Sequence, residues 1–329
     1  MAQGPETVLA DPARKAPVFE APLYVGWQLT NECNLSCLHC IEESGPGKAF
    51  QDELSREEAL EVLGRLAHAQ VPYLSFSGGE PLLHPAFWEL VQGAAARGMD
   101  VKIETNGHLL SSEDCLRLGR LGVKAVQVSL DGAASASYEK LRAGGSWEKA
   151  LQAIRGLRCA GAPVEVNFSP TKFNVREIGR AVDLAFELGA IGFYTGKTII
   201  AGNAGRTREI IEPGPEQYAE FFKTLREKAG EYKGRMRVCC HEMGLIEELK
   251  YRLENPAALF IILPNGKVKL INALPFVCGD LRRQSVGEVW KAFLEGWRSP
   301  EVREFVSELE NDPGRVGRLH EWTEIALRS

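Results

Sequence analysis

Between residues 23 and 195 the chain alternates short apolar runs with longer stretches of helical period, and this alternation limits the fold more than any other feature. The runs are 23–29 (LYVGWQL), 72–76 (PYLSF), 100–104 (DVKIE), 124–129 (KAVQVS), 163–168 (PVEVNF) and 191–195 (IGFYT). They are rich in β-branched and aromatic residues and read as strands. The stretches near 55–69, 85–97, 111–121, 146–160 and 174–188 space their apolar residues as helices do. Ser55, followed three residues later by Glu58, gives the first of them a capping box. Strands that alternate with helices in this way predict an α/β fold with a parallel sheet and right-handed crossovers. Only six βα units fit before about residue 200, so the expected form is a partial (βα)6, TIM-like barrel rather than a closed one of eight units.

Residues 1–20 carry proline and charge without period and are expected to be a loose arm, which leaves about 21–200 for the barrel. Beyond it come a Gly- and Pro-rich loop at 201–215, helical stretches near 216–231 and 242–254, and a hairpin (ALFIILPNGKVKLIN) turning at Asn265-Gly266. Helices near 285–296 and 299–309 follow, so 201–329 is expected to be a small α+β extension. A net charge of −5 argues against a nucleic-acid partner, because phosphate binding needs an excess of Lys and Arg. No apolar run reaches the roughly 18 residues of a membrane span. The opening residues lack the basic start and apolar core of a secretion signal, so a cytoplasmic, reducing location is expected. Eight cysteines in 329 residues are too few for a disulfide scaffold, and their uneven placement points to metal or redox chemistry.

Three of them form Cys33-Asn-Leu-Ser-Cys37-Leu-His-Cys40 directly after the first strand. Three thiolates on one tight loop can converge on one metal centre. A structural zinc site wants four ligands, here completed by His39 or a remote cysteine, whereas a [4Fe–4S] cube held by three would keep one iron open. Reduced thiols without metal are the third reading. The following strand ends carry Ser77-Gly78-Gly79-Glu80-Pro81, Thr105-Asn106-Gly107 and Ser129-Leu130-Asp131-Gly132. These are the places where a parallel sheet presents ligand contacts. Paired glycines allow close backbone approach to a ligand, Glu80 is an acceptor for an ammonium group, and Asn106 and Ser129 suit hydroxyls or a carboxylate.

In this order the motifs resemble those of the radical S-adenosylmethionine (SAM) superfamily. WQLTNECNLSCLHC looks like its cluster loop, SFSGGEPLL like its methionine-binding loop, and IETNG and VQVSLDG like signatures of its PqqE-like and haem-maturase-like members. The resemblance is strong over about 22–170 and fades after 200. It implies that Cys33, Cys37 and Cys40 hold a [4Fe–4S] cluster whose fourth iron is chelated by SAM. It further implies that Gly78, Gly79 and Glu80 bind the SAM amino group, that Asn106, Ser129 and Asp131 contact ribose or carboxylate, and that His39 lies by the adenine. The implied activity is reductive cleavage of SAM, giving a 5′-deoxyadenosyl radical that abstracts hydrogen from an unreactive C–H bond. This is oxidoreductase- or isomerase-type chemistry driven by a low-potential reductant such as ferredoxin or flavodoxin. Asp131 also fits a bland role, a buried turn carboxylate capping the next helix.

The last third resembles a degenerate SPASM or twitch region, which in relatives binds auxiliary clusters. ILPNGKVKLIN and GDLRRQSVGEVW keep its frame, but Ile271-Asn272 stand where a cysteine is expected and no cysteine follows Cys278. Cys239, Cys240 and Cys278 are candidate ligands of an auxiliary cluster, against which counts the divergence of adjacent side chains on extended backbone. Cys278 is also a candidate hydrogen donor to a substrate radical, and Cys115 and Cys159 fit packing positions. With about 20 residues before the first strand there is little room for a peptide-leader domain, which favours a small metabolite: a sugar, nucleoside, aminoglycoside or tetrapyrrole in natural-product biosynthesis. A maturase of a ribosomal peptide is the alternative. From other classes, an iron–sulfur electron carrier or a zinc-stabilised binding protein also accounts for the cysteine loop.

Overall fold

The computed structural model describes residues 19–256, 258–312 and 322–325, so the expected arm over 1–20 lies almost wholly outside the described residues. Six strands appear where the apolar runs are: β1 (Tyr24–Gln28), β2 (Tyr73–Ser77), β3 (Asp100–Thr105), β4 (Ala125–Ser129), β5 (Val164–Phe168) and β6 (Gly192–Gly196). Between them run α1 (Arg56–His68), α2 (Phe87–Ala96), α3 (Ser112–Leu121), α4 (Ser135–Leu141), α5 (Trp147–Cys159) and α6 (Ile178–Glu187). The Ser55 hydroxyl accepts from the Glu58 backbone N–H and the Glu58 carboxylate accepts from that of Ser55, so the capping box closes as expected.

The sheet is larger than six strands. After α7 (Pro215–Glu231) comes β7 (Arg237–His241), parallel to β6; after α8 (Leu245–Glu254) comes β8 (Leu259–Ile262), parallel to β1. The hairpin then continues outward through β9 (Lys267–Lys269), β10 (Phe276–Asp280) and β11 (Thr323–Glu324), and helices α9 (Val286–Gly296) and α10 (Pro300–Glu308) cover it. The strand order is β11-β10-β9-β8-β1-β2-β3-β4-β5-β6-β7, and no pairing closes β7 onto β8 among the described residues. The result is an α/β, TIM-like partial barrel whose sheet runs without a break into the C-terminal hairpin.

Each core strand has two different faces. Trp27, Phe76, Ile103, Val126 and Val164 lie in register across β1 to β5 and are all but fully buried. This layer packs against the helices, and each such side chain contributes about 1.5–3 kcal/mol relative to exposure. The opposite face is polar. Ser75 donates to Glu104 (2.8 Å), Tyr194 donates to Glu165 (2.9 Å), and Lys102 and Arg237 pair with Glu165 at 3.2 and 2.8 Å. The lumen is therefore hydrophilic, with Lys102 and Arg237 sharing the Glu165 carboxylate.

Candidate active site

A cavity of about 500 Å³ opens at the carboxyl ends of the strands, and the three cysteines of the 33–40 loop line it together with His39, Gly78, Gly79, Asn106 and Ser129. Cys33 and Cys37 are buried and Cys40 is half-buried. The loop is pinned from several sides. Ser36-Cys37 pair antiparallel with Arg142-Ala143, and Leu38 N–H donates to Leu141 O at 3.0 Å. The segment expected as a loop at 201–215 instead makes two helical turns, Asn203–Arg206 and Arg208–Ile211, that pack on the cysteine loop. Asn203 N–H donates to Cys40 O (2.9 Å) and the Thr207 hydroxyl to Leu38 O (2.8 Å). Gly202, at φ +57°, lets this chain pass so close that an added Cβ would lie 2.4 Å from Ile41 O. Arg206 pairs with Glu43, and Arg208 with Glu212 at 2.6 Å, so both are engaged in local ion pairs.

The sulfurs receive N–H groups: Leu35 N at 3.5 Å and the Asn106 amide at 3.8 Å on Cys33, and the Arg142 guanidinium at 3.7 Å on Cys37. Burial pushes the Cys33 thiol up to about 12 and Cys40 up to about 11, so without a cationic centre these sulfurs stay protonated. Three thiols on one loop, supplied with N–H donors suited to anionic sulfur, have the chemistry that a cluster needs. Three further buried polar atoms of residues in the cavity wall, His39 Nδ1, Thr195 Oγ1 and Asn272 Oδ1, have no protein partner.

The glycine loop abuts the cysteine loop directly. Gly79 N–H donates to Thr30 O (2.7 Å) and Glu80 N–H to Glu32 O (2.9 Å). Glu80 itself is fully buried and does not line the cavity. Its carboxylate accepts from the Thr105 hydroxyl (2.7 Å) and Asn106 N–H (2.9 Å) and so fixes the β3 turn. Asn106, held in this way, presents its amide to Asn34 Oδ1 at 2.8 Å. Asp131 is likewise buried beneath the cavity and caps no helix. One of its oxygens accepts from Arg142 Nε and Nη2, both at 2.6 Å, and lies 3.0 Å from His39 Nε2. The other accepts Ser169 N–H at 2.7 Å.

Opposite titration behaviour follows for the two carboxyls. Burial pushes Glu80 up to about 7, so the folded state keeps a proton that the unfolded chain releases near 4.5. Stability referable to Glu80 therefore falls as pH rises between these values, by about 3 kcal/mol. Burial acts the same way on Asp131, but Arg142 and His39 prevail and hold it well below the usual carboxylate range; its contribution is present at neutral pH and lost in acid. Glu80→Gln is expected to destabilise the protein markedly at pH 5 and by a smaller amount at pH 8. Urea midpoints at the two pH values check this, and a penalty that grows with pH would contradict it.

Arg142 had no counterpart among the sequence candidates. It follows the apolar pair Tyr138 and Leu141 at helical spacing, where a buried arginine leaves no periodic signal. Asn272, at the site of the expected tail cysteine, lines the cavity and donates to Glu42, while the buried Lys269 donates to Asn272 O at 2.9 Å. The tail cysteines do not converge. Cys239 and Cys240 alternate across β7, and Cys278 on β10 is buried away from the cavity with its thiol on Val268 O at 3.4 Å. Cys115 packs between α3 and α5 as expected, whereas Cys159 is exposed at the end of α5, which corrects the packing role read for it.

Residues 27–185 match the family described as the Radical SAM superfamily. The AdoMet-dependent heme synthase of Methanosarcina barkeri is 30% identical over 289 residues, which cover 82% of this chain and 82% of that protein. The mycofactocin maturase MftC of Mycobacterium tuberculosis is 38% identical over 214 residues, 64% of this chain and 53% of that one. Among solved structures, Streptococcus suis SuiB bound to S-adenosylmethionine matches with a TM-score of 0.71 and 16% identity over 85% of this chain and 68% of that one, a likeness of fold.

Proposed function

The chain belongs to the radical SAM superfamily, whose cofactors are a [4Fe–4S] cluster and S-adenosylmethionine, and from this membership we propose that it acts on a small metabolite by removing hydrogen from an unactivated C–H bond. When bound, the cluster and SAM supply reductive cleavage of the sulfonium and a carbon-centred oxidant. The chain's own residues hold and shield these groups. Cys33, Cys37 and Cys40 would ligate the cluster. Gly78 and Gly79 offer backbone at close range to an amino acid group, and Asn106 and Ser129 offer polar side chains beside it. The orphaned His39 Nδ1 and Thr195 Oγ1 are suited to a purine or ribose. The lumen beneath, with Glu104 and Tyr194 in the wall, takes the substrate. Holding the chosen C–H bond close to the reactive carbon favours its attack over reaction with solvent.

The observation that carries this reading is the meeting of the cysteine loop and three strand ends on one cavity. A tetrapyrrole ranks first among small substrates, because the heme synthase match runs over four-fifths of both chains. Peptide modification is the second reading, favoured by the mycofactocin maturase match, although this chain spans about half of that protein's length. Either reading needs a reducing, cytoplasmic setting and a low-potential one-electron donor such as ferredoxin or flavodoxin. Anaerobically reconstituted protein given SAM and dithionite is expected to form 5′-deoxyadenosine, faster with iron-coproporphyrin than with a cysteine-free model peptide. A fully iron-loaded protein that forms none would sink the enzyme reading and leave an electron carrier. Faster turnover with the peptide would reverse the substrate order.

A further inference from the structure

We propose that Arg142 is a positioning residue that sets the reduction potential of the cluster through Cys37, an assignment that rests on reading Cys33, Cys37 and Cys40 as the cluster's ligands. The backbone makes this contact durable. Cys37 and Arg142 are register partners in a two-residue antiparallel ribbon, which fixes the arginine Cα opposite the cysteine. The side chain is 9% exposed and is held in place, because Asp131 Oδ2 grips Nε and Nη2 at 2.6 Å each. Nη1, the arm left over, lies 3.7 Å from Cys37 Sγ. Asp131 is in turn held by Ser169 N–H and His39, so the whole fork is aimed from behind. The contact on Cys33 from Asn106 is a neutral amide at 3.8 Å, whereas the contact on Cys37 carries a full positive charge.

Reduction of the cluster from the 2+ to the 1+ state takes one electron from the donor and moves no proton, so one negative charge is added beside Arg142. In a buried site that charge is poorly screened, and a cation touching a ligand sulfur favours the reduced state. Asp131 lies behind the guanidinium, farther from the sulfur, and offsets only part of the effect. Removing either charge is therefore expected to move the potential in opposite directions, which loss of packing alone does not predict.

The test is a redox titration followed by electron paramagnetic resonance on anaerobically reconstituted protein at fixed pH without SAM, with iron and sulfide counted in each sample. Arg142→Gln is expected to lower the equilibrium constant for cluster reduction about tenfold, a shift of about 59 mV to more negative potential. Arg142→Lys, which keeps the charge, is expected to stay within threefold of the wild type. Asp131→Asn is expected to shift positively. Should a single variant fail to load iron, the Arg142→Met/Asp131→Asn double variant removes the buried pair together, a change that buried pairs tolerate, and is expected to shift negatively by more than threefold. Loaded neutral variants within threefold of the wild type, or Arg142→Gln and Asp131→Asn moving the same way, would overturn the assignment. Failure of the wild type itself to take up a four-iron cluster would overturn the cluster reading instead.

Discussion

Replacing Cys33, Cys37 and Cys40 together by alanine is expected to bring bound iron to background and to abolish 5′-deoxyadenosine formation. The loss in rate should be at least roughly 10⁶-fold, because without the cluster nothing in the site can deliver an electron to a sulfonium. Folding should largely survive. The 33–40 loop is tied by its backbone to residues 141–143 and 203–207 rather than by its sulfurs, and those bonds persist in the variant. The same sample reads the tail. Four irons remaining per chain, against eight in the wild type, would show that Cys239, Cys240 or Cys278 holds a second cluster. The geometry speaks for none, since Cys278 is sealed in the core and Cys239 and Cys240 point to opposite faces of an edge strand. Circular dichroism separates a folded, iron-free protein from an unfolded one, and iron bound at wild-type level would overturn the assignment of the three ligands.

Much of this architecture can be read from the residues, and the reasons differ from element to element. The six core strands announce themselves because one face is apolar and buried, and the helices between them carry caps such as Ser55 and Ser111. β7 does not, since Arg237-Val-Cys-Cys-His241 is an edge strand, half-exposed, with no apolar face to reveal it. The parallel docking of β8 on β1 is equally silent, because the Asn265-Gly266 turn signals a hairpin but not the sheet it joins. At the site, residue types show which loops matter but not which way a side chain turns. Gly78, Gly79, Asn106 and the cysteines face the cavity, while Glu80 and Asp131 turn inward to bind the neighbouring turn and Arg142. Buried carboxylates need donors, and the nearest set in space decides their direction. Arg142 comes from a helix end more than a hundred residues after Cys37, a distance that no spacing rule spans.

Gly79→Ala is expected to cost several kcal/mol of stability and to reduce SAM binding below detection, although it adds a single methyl group. A Cβ on Gly79 would lie 2.1 Å from Glu32 O, 2.6 Å from Glu32 C and 2.9 Å from Asn31 O. All of these are backbone atoms at the start of the cysteine loop, so no side chain can swing aside to make room. The two loops must separate, breaking Gly79 N–H to Thr30 O and Glu80 N–H to Glu32 O. Overpacking at about 1–3 kcal/mol and two hydrogen bonds at about 1 kcal/mol each give a total of roughly 3–5 kcal/mol. The functional loss is expected to exceed the loss of stability because the shift falls between the proposed cluster ligands and the backbone proposed to meet the methionine end of SAM. Gly64→Ala provides the control: it sits inside α1 with nothing within 4 Å of an added Cβ, and should stabilise the protein by about 0.5–1 kcal/mol. Urea unfolding and equilibrium dialysis with labelled SAM measure both variants. Wild-type affinity in Gly79→Ala would mean that the two loops can part without moving the cofactors, contrary to the close backbone packing that joins them.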